Sequence, residues 1–114
     1  MVTFSNRKSL ADKLKYYIDK ITQNFRVSKI ILFGSHAKGN PHEYSDIDIA
    51  VISPDLDKSN LRFENVRIIK EKSNLIDVGL QIVAYPTEVF ENEQGAERLF
   101  IREIKNTGKI IYQS

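Results

Sequence analysis

The sequence predicts an α/β domain with a small mixed β-sheet and helices packed on it, and three observations carry that expectation. An almost unbroken β-branched run, Lys29-Ile30-Ile31-Leu32-Phe33, stops at Gly34, which is the pattern of a buried strand feeding a tight turn. Asp46-Ile47-Asp48-Ile49 then alternates polar and apolar residues before Ala50-Val51-Ile52, as a second strand would. Apolar residues at helical spacing precede the first strand and follow the second.

In chain order, Leu10, Leu14, Tyr17, Ile18 and Ile21 define a first amphipathic helix from Ser9 to about Asn24, with Ser9 and Asp12 as a capping pair. On this helix Tyr16 and Tyr17 are expected to pack or snorkel. The first strand runs from Val27 to Phe33. Residues 35–44 hold Gly39, Asn40 and Pro41 and read as a loop, with one helical turn over Ser35-His36-Ala37-Lys38. Asp46 to Ile52 is the second strand, broken by Ser53-Pro54-Asp55. Leu61 to Lys72 is a second amphipathic helix, whose polar face is the expected home of Arg62, Arg67 and Lys70. Leu75 to Ala84 reads as a third strand. A helix start at Pro86-Thr87-Glu88, a helix from Gly95 to Asn106 and a short strand from Lys109 to Tyr112 complete the pattern. The exposed faces of the first and last helices, with Leu99 and Ile101 named for the last, are the expected protein contacts.

The chain has 114 residues, room for one small domain over residues 1–114 but not for a second independent core. Its 41% hydrophobic and 28% charged residues are those of a folded globular protein rather than a disordered one. A formal charge of +2 is too small to argue for a nucleic-acid or membrane-surface protein. With no Cys, disulfides and thiolate metal sites are excluded. No apolar run has signal-peptide length at the start, and none approaches the roughly 18 residues that span a bilayer. The expected location is the cytoplasm, with no membrane contact.

The chemistry concentrates in Gly34-Ser35-His36-Ala37-Lys38-Gly39, five further residues, and then Ser45-Asp46-Ile47-Asp48. Side chains two apart on a strand share a face, so Asp46 and Asp48 point together while Ile47 and Ile49 point the other way. Two like charges held that close repel unless a cation lies between them, and an oxygen-only ligand set suits Mg²⁺ or Mn²⁺. Gly34 lets the backbone approach a ligand, and the Ser35 hydroxyl with neighbouring N–H groups can receive phosphate. Nucleotidyl transfer asks little more of a protein than in-line positioning and charge neutralisation. Hence Asp46 and Asp48 are expected to bind metal, Gly34 and Ser35 the β- and γ-phosphates, and Lys38 to assist electrostatically. His36 and His42 lack the spacing of a ligand pair, so neither is assigned to metal. The loop has no Gly-Lys-Ser/Thr of a P-loop, no Gly-x-Gly-x-x-Gly follows a strand, and Ala50-Val51 exclude a calcium loop.

Gly34-Ser35-x-x-x-Gly39 followed by Ser45-Asp46-x-Asp48, behind the strand Ile30-Ile31-Leu32-Phe33, resembles the signature of the DNA polymerase β-like nucleotidyltransferases, and particularly the minimal nucleotidyltransferases. Thr87-Glu88-Val89-Phe90 and Ile104 to Tyr112 also resemble that family's closing elements. The resemblance implies the polymerase β-like nucleotidyltransferase fold, ATP as substrate with Mg²⁺ or Mn²⁺, and transfer of AMP to an acceptor hydroxyl. It brings Gly39 and Ser45 into the nucleotide-binding set. It also implies a small helical HEPN toxin as partner, the chain being its antitoxin and the acceptor lying on that protein.

The resemblance further implies a third carboxylate on the strand after the second helix, and counting back from Tyr85-Pro86 that position is Gln81. An amide cannot act as general base for an attacking hydroxyl. Asp77 is the substitute third carboxylate, for catalysis and metal. On a continuous strand it would share the face of Gln81 about 13 Å away, so a bulge near Gly79 would have to bring it inward. Gln81 keeps open a second function, that of a nucleotide-binding antitoxin that masks its partner with weak or no catalysis. A transferase directed at nucleic acid fits less well, because no basic, aromatic-rich tract is visible.

Overall fold

The computed structural model describes residues 9–39, 46–59 and 62–114, with the side chain of Arg62 excepted. Its elements, in order, are α1 (Leu10–Thr22), β1 (Lys29–Phe33), α2 (Ser35–Lys38), β2 (Ile47–Ser53), α3 (Arg62–Ser73), β3 (Leu80–Pro86), α4 (Thr87–Glu91), α5 (Arg98–Thr107) and β4 (Lys109–Gln113). The four strands form one mixed sheet in the order β3-β2-β1-β4. β1 is antiparallel to both β2 and β4, while β2 and β3 are parallel. A parallel pair needs a crossover, and α3 lies in that connection.

Local chemistry sets most boundaries as expected. The Ser9 hydroxyl caps α1 by accepting from the Asp12 N–H at 3.1 Å. The single helical turn after Gly34 forms as α2. β2 ends at Ser53, whose buried hydroxyl donates to the Arg26 carbonyl and accepts from the Asp55 N–H.

Both faces of the sheet are covered. On one face Ile30, Leu32, Ile47, Ile49, Val51, Leu80 and Ile82 pack with Tyr17 and Ile21 of α1 and Ile69 of α3. On the other, Ile31, Ala50, Ile52 and Tyr85 pack with Phe90 of α4 and Ile101 and Ile104 of α5. The alternation in Asp46-Ile47-Asp48-Ile49 therefore does not continue as a wet face: Ala50 and Ile52 are fully buried under the second helical layer. The carboxylates occupy the end of β2 where that layer stops.

Two expectations are corrected. The third strand starts at Leu80, not Leu75. Asp77 Oδ1 accepts from the Gly79 N–H, and the Leu80 N–H donates to the Asp77 carbonyl, so these residues form a turn of the kind Asp favours. Ile76 and Val78 project from it almost fully exposed. Ile101, expected at a partner surface, is buried in the α4/α5 core, whereas Leu99 is 67% exposed. Both lie on α5, and the two-residue offset turns them roughly 200° apart on the helix.

Ile49→Ala should cost about 2–5 kcal/mol, because it deletes a fully buried side chain between two layers. Leu99→Ala should stay within about 0.5 kcal/mol. Urea unfolding of the two variants, compared at equal denaturant slope, checks both values.

Candidate nucleotide and metal site

The site is assembled by pairing. β2 lies between β1 and β3, and its register sets Phe33 beside Asp48 on one flank and Gln81 beside Asp48 on the other. Directly paired residues share a face, so Asp48, Phe33 and Gln81 all lie on the α4/α5 side. Asp46 precedes β2 and is exposed. The Gln81 amide Nε2 donates to its Oδ2 at 3.4 Å. Next to it, the Ile47 N–H donates to the Gly79 carbonyl at 2.9 Å, which holds the start of β2 on the β3 side.

Gly34 closes the site from the β1 end. Its φ of 76° and ψ of −154° fall in a region that only glycine occupies readily. A Cβ there would clash with Asp48 Oδ2 and sit 3.1 Å from Asp48 Cγ. The turn thus lays its backbone against the carboxylate. Ser35, half-buried, opens α2 directly after this contact, Lys38 is exposed at its end, and Gly39 closes it with φ 79°. Ser45 and His42 lie outside the described residues.

Partial burial, and secondarily the nearby Asp46 carboxylate, raise the Asp48 pKa above its ordinary value, while His36 opposes the shift. Two acids are thus held in one small volume at an electrostatic cost. The donor set is all oxygen, it is anionic, and the Gly34 backbone leaves it accessible, which fits a hard divalent cation shared with phosphate.

Asp77 is not part of this group. Its Oδ2 accepts from the Tyr17 hydroxyl at 2.5 Å, and its Oδ1 is held by the Gly79 N–H. Tyr17 is buried, and both burial and Asp77 push its phenol pKa up. Asp77 therefore ties the turn before β3 to α1. Among the described residues, no three His, Cys, Asp or Glu side chains gather where one metal ion could reach them all. Gln81, counted back from Tyr85-Pro86 in the sequence, is the residue found beside the pair.

Sequence reading missed the wall behind the carboxylates. Phe33 stacks edge-on against Phe100 of α5 with ring centroids 5.8 Å apart, at the margin of the α4/α5 core. The signal was present in Phe33, the last strand residue before Gly34, but its partner comes from 67 residues later and no periodicity links them. The electrostatic influence of His36 on Asp48 was missed because it follows from the pairing of β1 with β2, which brings the turn after Phe33 beside Asp48.

Known proteins resemble this chain in sequence family and in fold. The family model for polymerase beta nucleotidyltransferases matches residues 15–114. A "putative protein adenylyltransferase" of Methanocaldococcus jannaschii is 40% identical over 58 residues, which are 49% of this chain and 40% of that protein. The chain thus spans well under half the length of this curated relative. The crystal structure of a "putative nucleotidyltransferase" from Sulfolobus solfataricus aligns over 89% of this chain and 78% of its own, with TM-score 0.61 and 17% identity. That of a toxin-antitoxin with AMP-PNP aligns over 88% and 73%, with TM-score 0.57 and 24% identity. At those identities the two structures speak to the fold, and no helix among the described residues is long and apolar enough to cross a membrane. With the family model covering nearly the whole chain and Asp48 lying against the glycine turn, the chain belongs to the polymerase beta nucleotidyltransferase family.

Proposed function

We propose that this chain transfers AMP from ATP to a hydroxyl on a protein partner, a small helical HEPN-type toxin for which it is the antitoxin. The observation that carries the reading is the contact of the Gly34 backbone with Asp48, beside Asp46. Asp46 and Asp48 would hold Mg²⁺ or Mn²⁺, which supplies charge neutralisation on the phosphate oxygens. Gly34 and Ser35 receive the β- and γ-phosphates through backbone N–H groups and the Ser35 hydroxyl, with Gly39 and Ser45 framing the same loop. Lys38 adds positive charge at the loop. The phosphate-binding turn orients the α-phosphate so that the acceptor oxygen attacks it as pyrophosphate leaves. A protein acceptor is favoured by the adenylyltransferase description of the archaeal relative. A toxin partner is favoured by the toxin-antitoxin neighbour.

Gln81 beside Asp46 favours a second reading, in which the chain binds nucleotide and masks its partner with weak or no transfer. Asp77, held by Tyr17, serves as third carboxylate only if that contact opens. Incubation with Mg²⁺, α-phosphate-labelled ATP and the protein encoded beside it distinguishes these readings. Label on the partner that disappears in Asp48→Asn establishes transfer. A bound but unlabelled partner leaves the masking antitoxin, and label unchanged by Asp77→Asn removes Asp77 from catalysis.

Asp48→Asn should lower metal-dependent nucleotide affinity by at least about 100-fold, since losing even an outer partner of a metal ligand costs 10–100-fold. The same variant should melt higher than wild type in metal-free buffer. The folded protein raises the Asp48 pKa, so this group favours the fold when protonated, and that contribution is lost as pH rises through the raised value. The gap in melting temperature should therefore be absent at pH values below the ordinary carboxylate range and open as pH climbs above it. Gly34→Ala should lose nucleotide binding and about 1–3 kcal/mol of stability, from backbone strain and from the methyl group driven into Asp48. Calorimetric titration with a non-hydrolysable triphosphate and thermal melts read both effects.

A further inference from the structure

A two-metal site holds its ions about 3.5–4 Å apart, and their mutual repulsion has to be offset by anionic ligands between and around them. In this sheet the residues flanking Asp48 across the strands are Phe33 and Gln81, neither of them charged. Gln81 turns the donor end of its amide, Nε2, toward Asp46 Oδ2. A carboxylate in that place would add a third negative charge to the pair and call for a second cation. The amide removes the charge and supplies an N–H to the carboxylate instead. The next acid along the chain, Asp77, is engaged by the Tyr17 hydroxyl and the Gly79 N–H, and the described residues contain no group of three potential ligands.

From this arrangement, and resting on the nucleotidyltransferase reading above, we infer that the site holds one divalent ion per chain even with a triphosphate bound, and that Gln81 sets that number. Asp46 and Asp48 match the charge of a single divalent ion. The Gln81 side chain donates to Asp46, and the described residues offer no third carboxylate there to hold a second ion beside the triphosphate. The consequence for the acceptor is that position 81 offers its hydroxyl neither a second cation nor a proton acceptor, because an amide serves as neither an anionic ligand nor a base.

Equilibrium dialysis of the purified chain against Mn²⁺ and a saturating α,β-methylene ATP analogue measures the ions and nucleotides retained on the protein side. Wild type should retain one nucleotide and one Mn²⁺ per chain. Gln81→Asp and Gln81→Glu, at an exposed position where folding should persist by circular dichroism, should retain one nucleotide and two Mn²⁺. The electron paramagnetic resonance spectrum of a coupled Mn²⁺ pair should appear only in those variants. Two Mn²⁺ per wild-type chain would overturn the inference and leave the nucleotidyltransferase reading standing, as would both variants remaining at one ion. No retained nucleotide in wild type would overturn that reading, and this inference with it.

Discussion

The position of β2 between an antiparallel and a parallel neighbour is the constraint on which the site depends. Strand side chains alternate, so a one-residue slip against either neighbour would send Asp48 into the Ile47-Ile49-Val51 core and bring an isoleucine to the surface. Burial of both faces makes such slips costly, because each would place a carboxylate among fully buried apolar side chains. The same register delivers Phe33 and Gln81 to either side of Asp48. Core packing thereby places Asp48 and Gln81, which belong to neither apolar cluster.

Stability and site chemistry pull against each other at Asp48. Partial burial and the Asp46 charge both disfavour its ionised form, and the Gly34 backbone is held in a conformation costly for any other residue. Strain of this kind persists where the surrounding structure over-determines it, here through the β1–β2 ladder that ends with Phe33 opposite Asp48. A bound cation would relieve the like-charge repulsion, so ligand binding and fold stability are linked at this site.

The α4/α5 layer has a second role beyond stability. It covers Ala50, Ile52 and Tyr85 and stops at the Phe33–Phe100 pair, which leaves the carboxylates at a boundary between a dry core and solvent. At such a boundary charges interact more strongly than in bulk water, yet a ligand can still reach them. The turn at Asp77, tied to Tyr17 on the opposite face, anchors the start of β3, and the Gly79 carbonyl there pairs with Ile47. Asp77 thereby acts on the placement of Gln81 through the backbone.

The sequence by itself determined the parts governed by neighbours along the chain. The strand ending in Phe33, the glycine turn, the helical turn over Ser35-His36-Ala37-Lys38, the Ser9 cap and the shared direction of Asp46 and Asp48 all follow from side-chain period, turn chemistry and capping, which act over a few residues. The start of β3 was misread because Leu75, Ile76 and Val78 have strand composition, yet β2 pairs with β3 only from Ile47 and Leu80 onward. Before that point the Asp77 side chain and carbonyl accept from the Gly79 and Leu80 N–H groups and close a turn instead. Likewise Leu99 and Ile101 look alike in sequence, and only the docking of α5 on the sheet decided which one is buried. That Gln81 faces Asp46, that Asp77 faces Tyr17, and that Phe100 backs the site were decided by tertiary structure, because each depends on strand register or layer packing between residues distant along the chain.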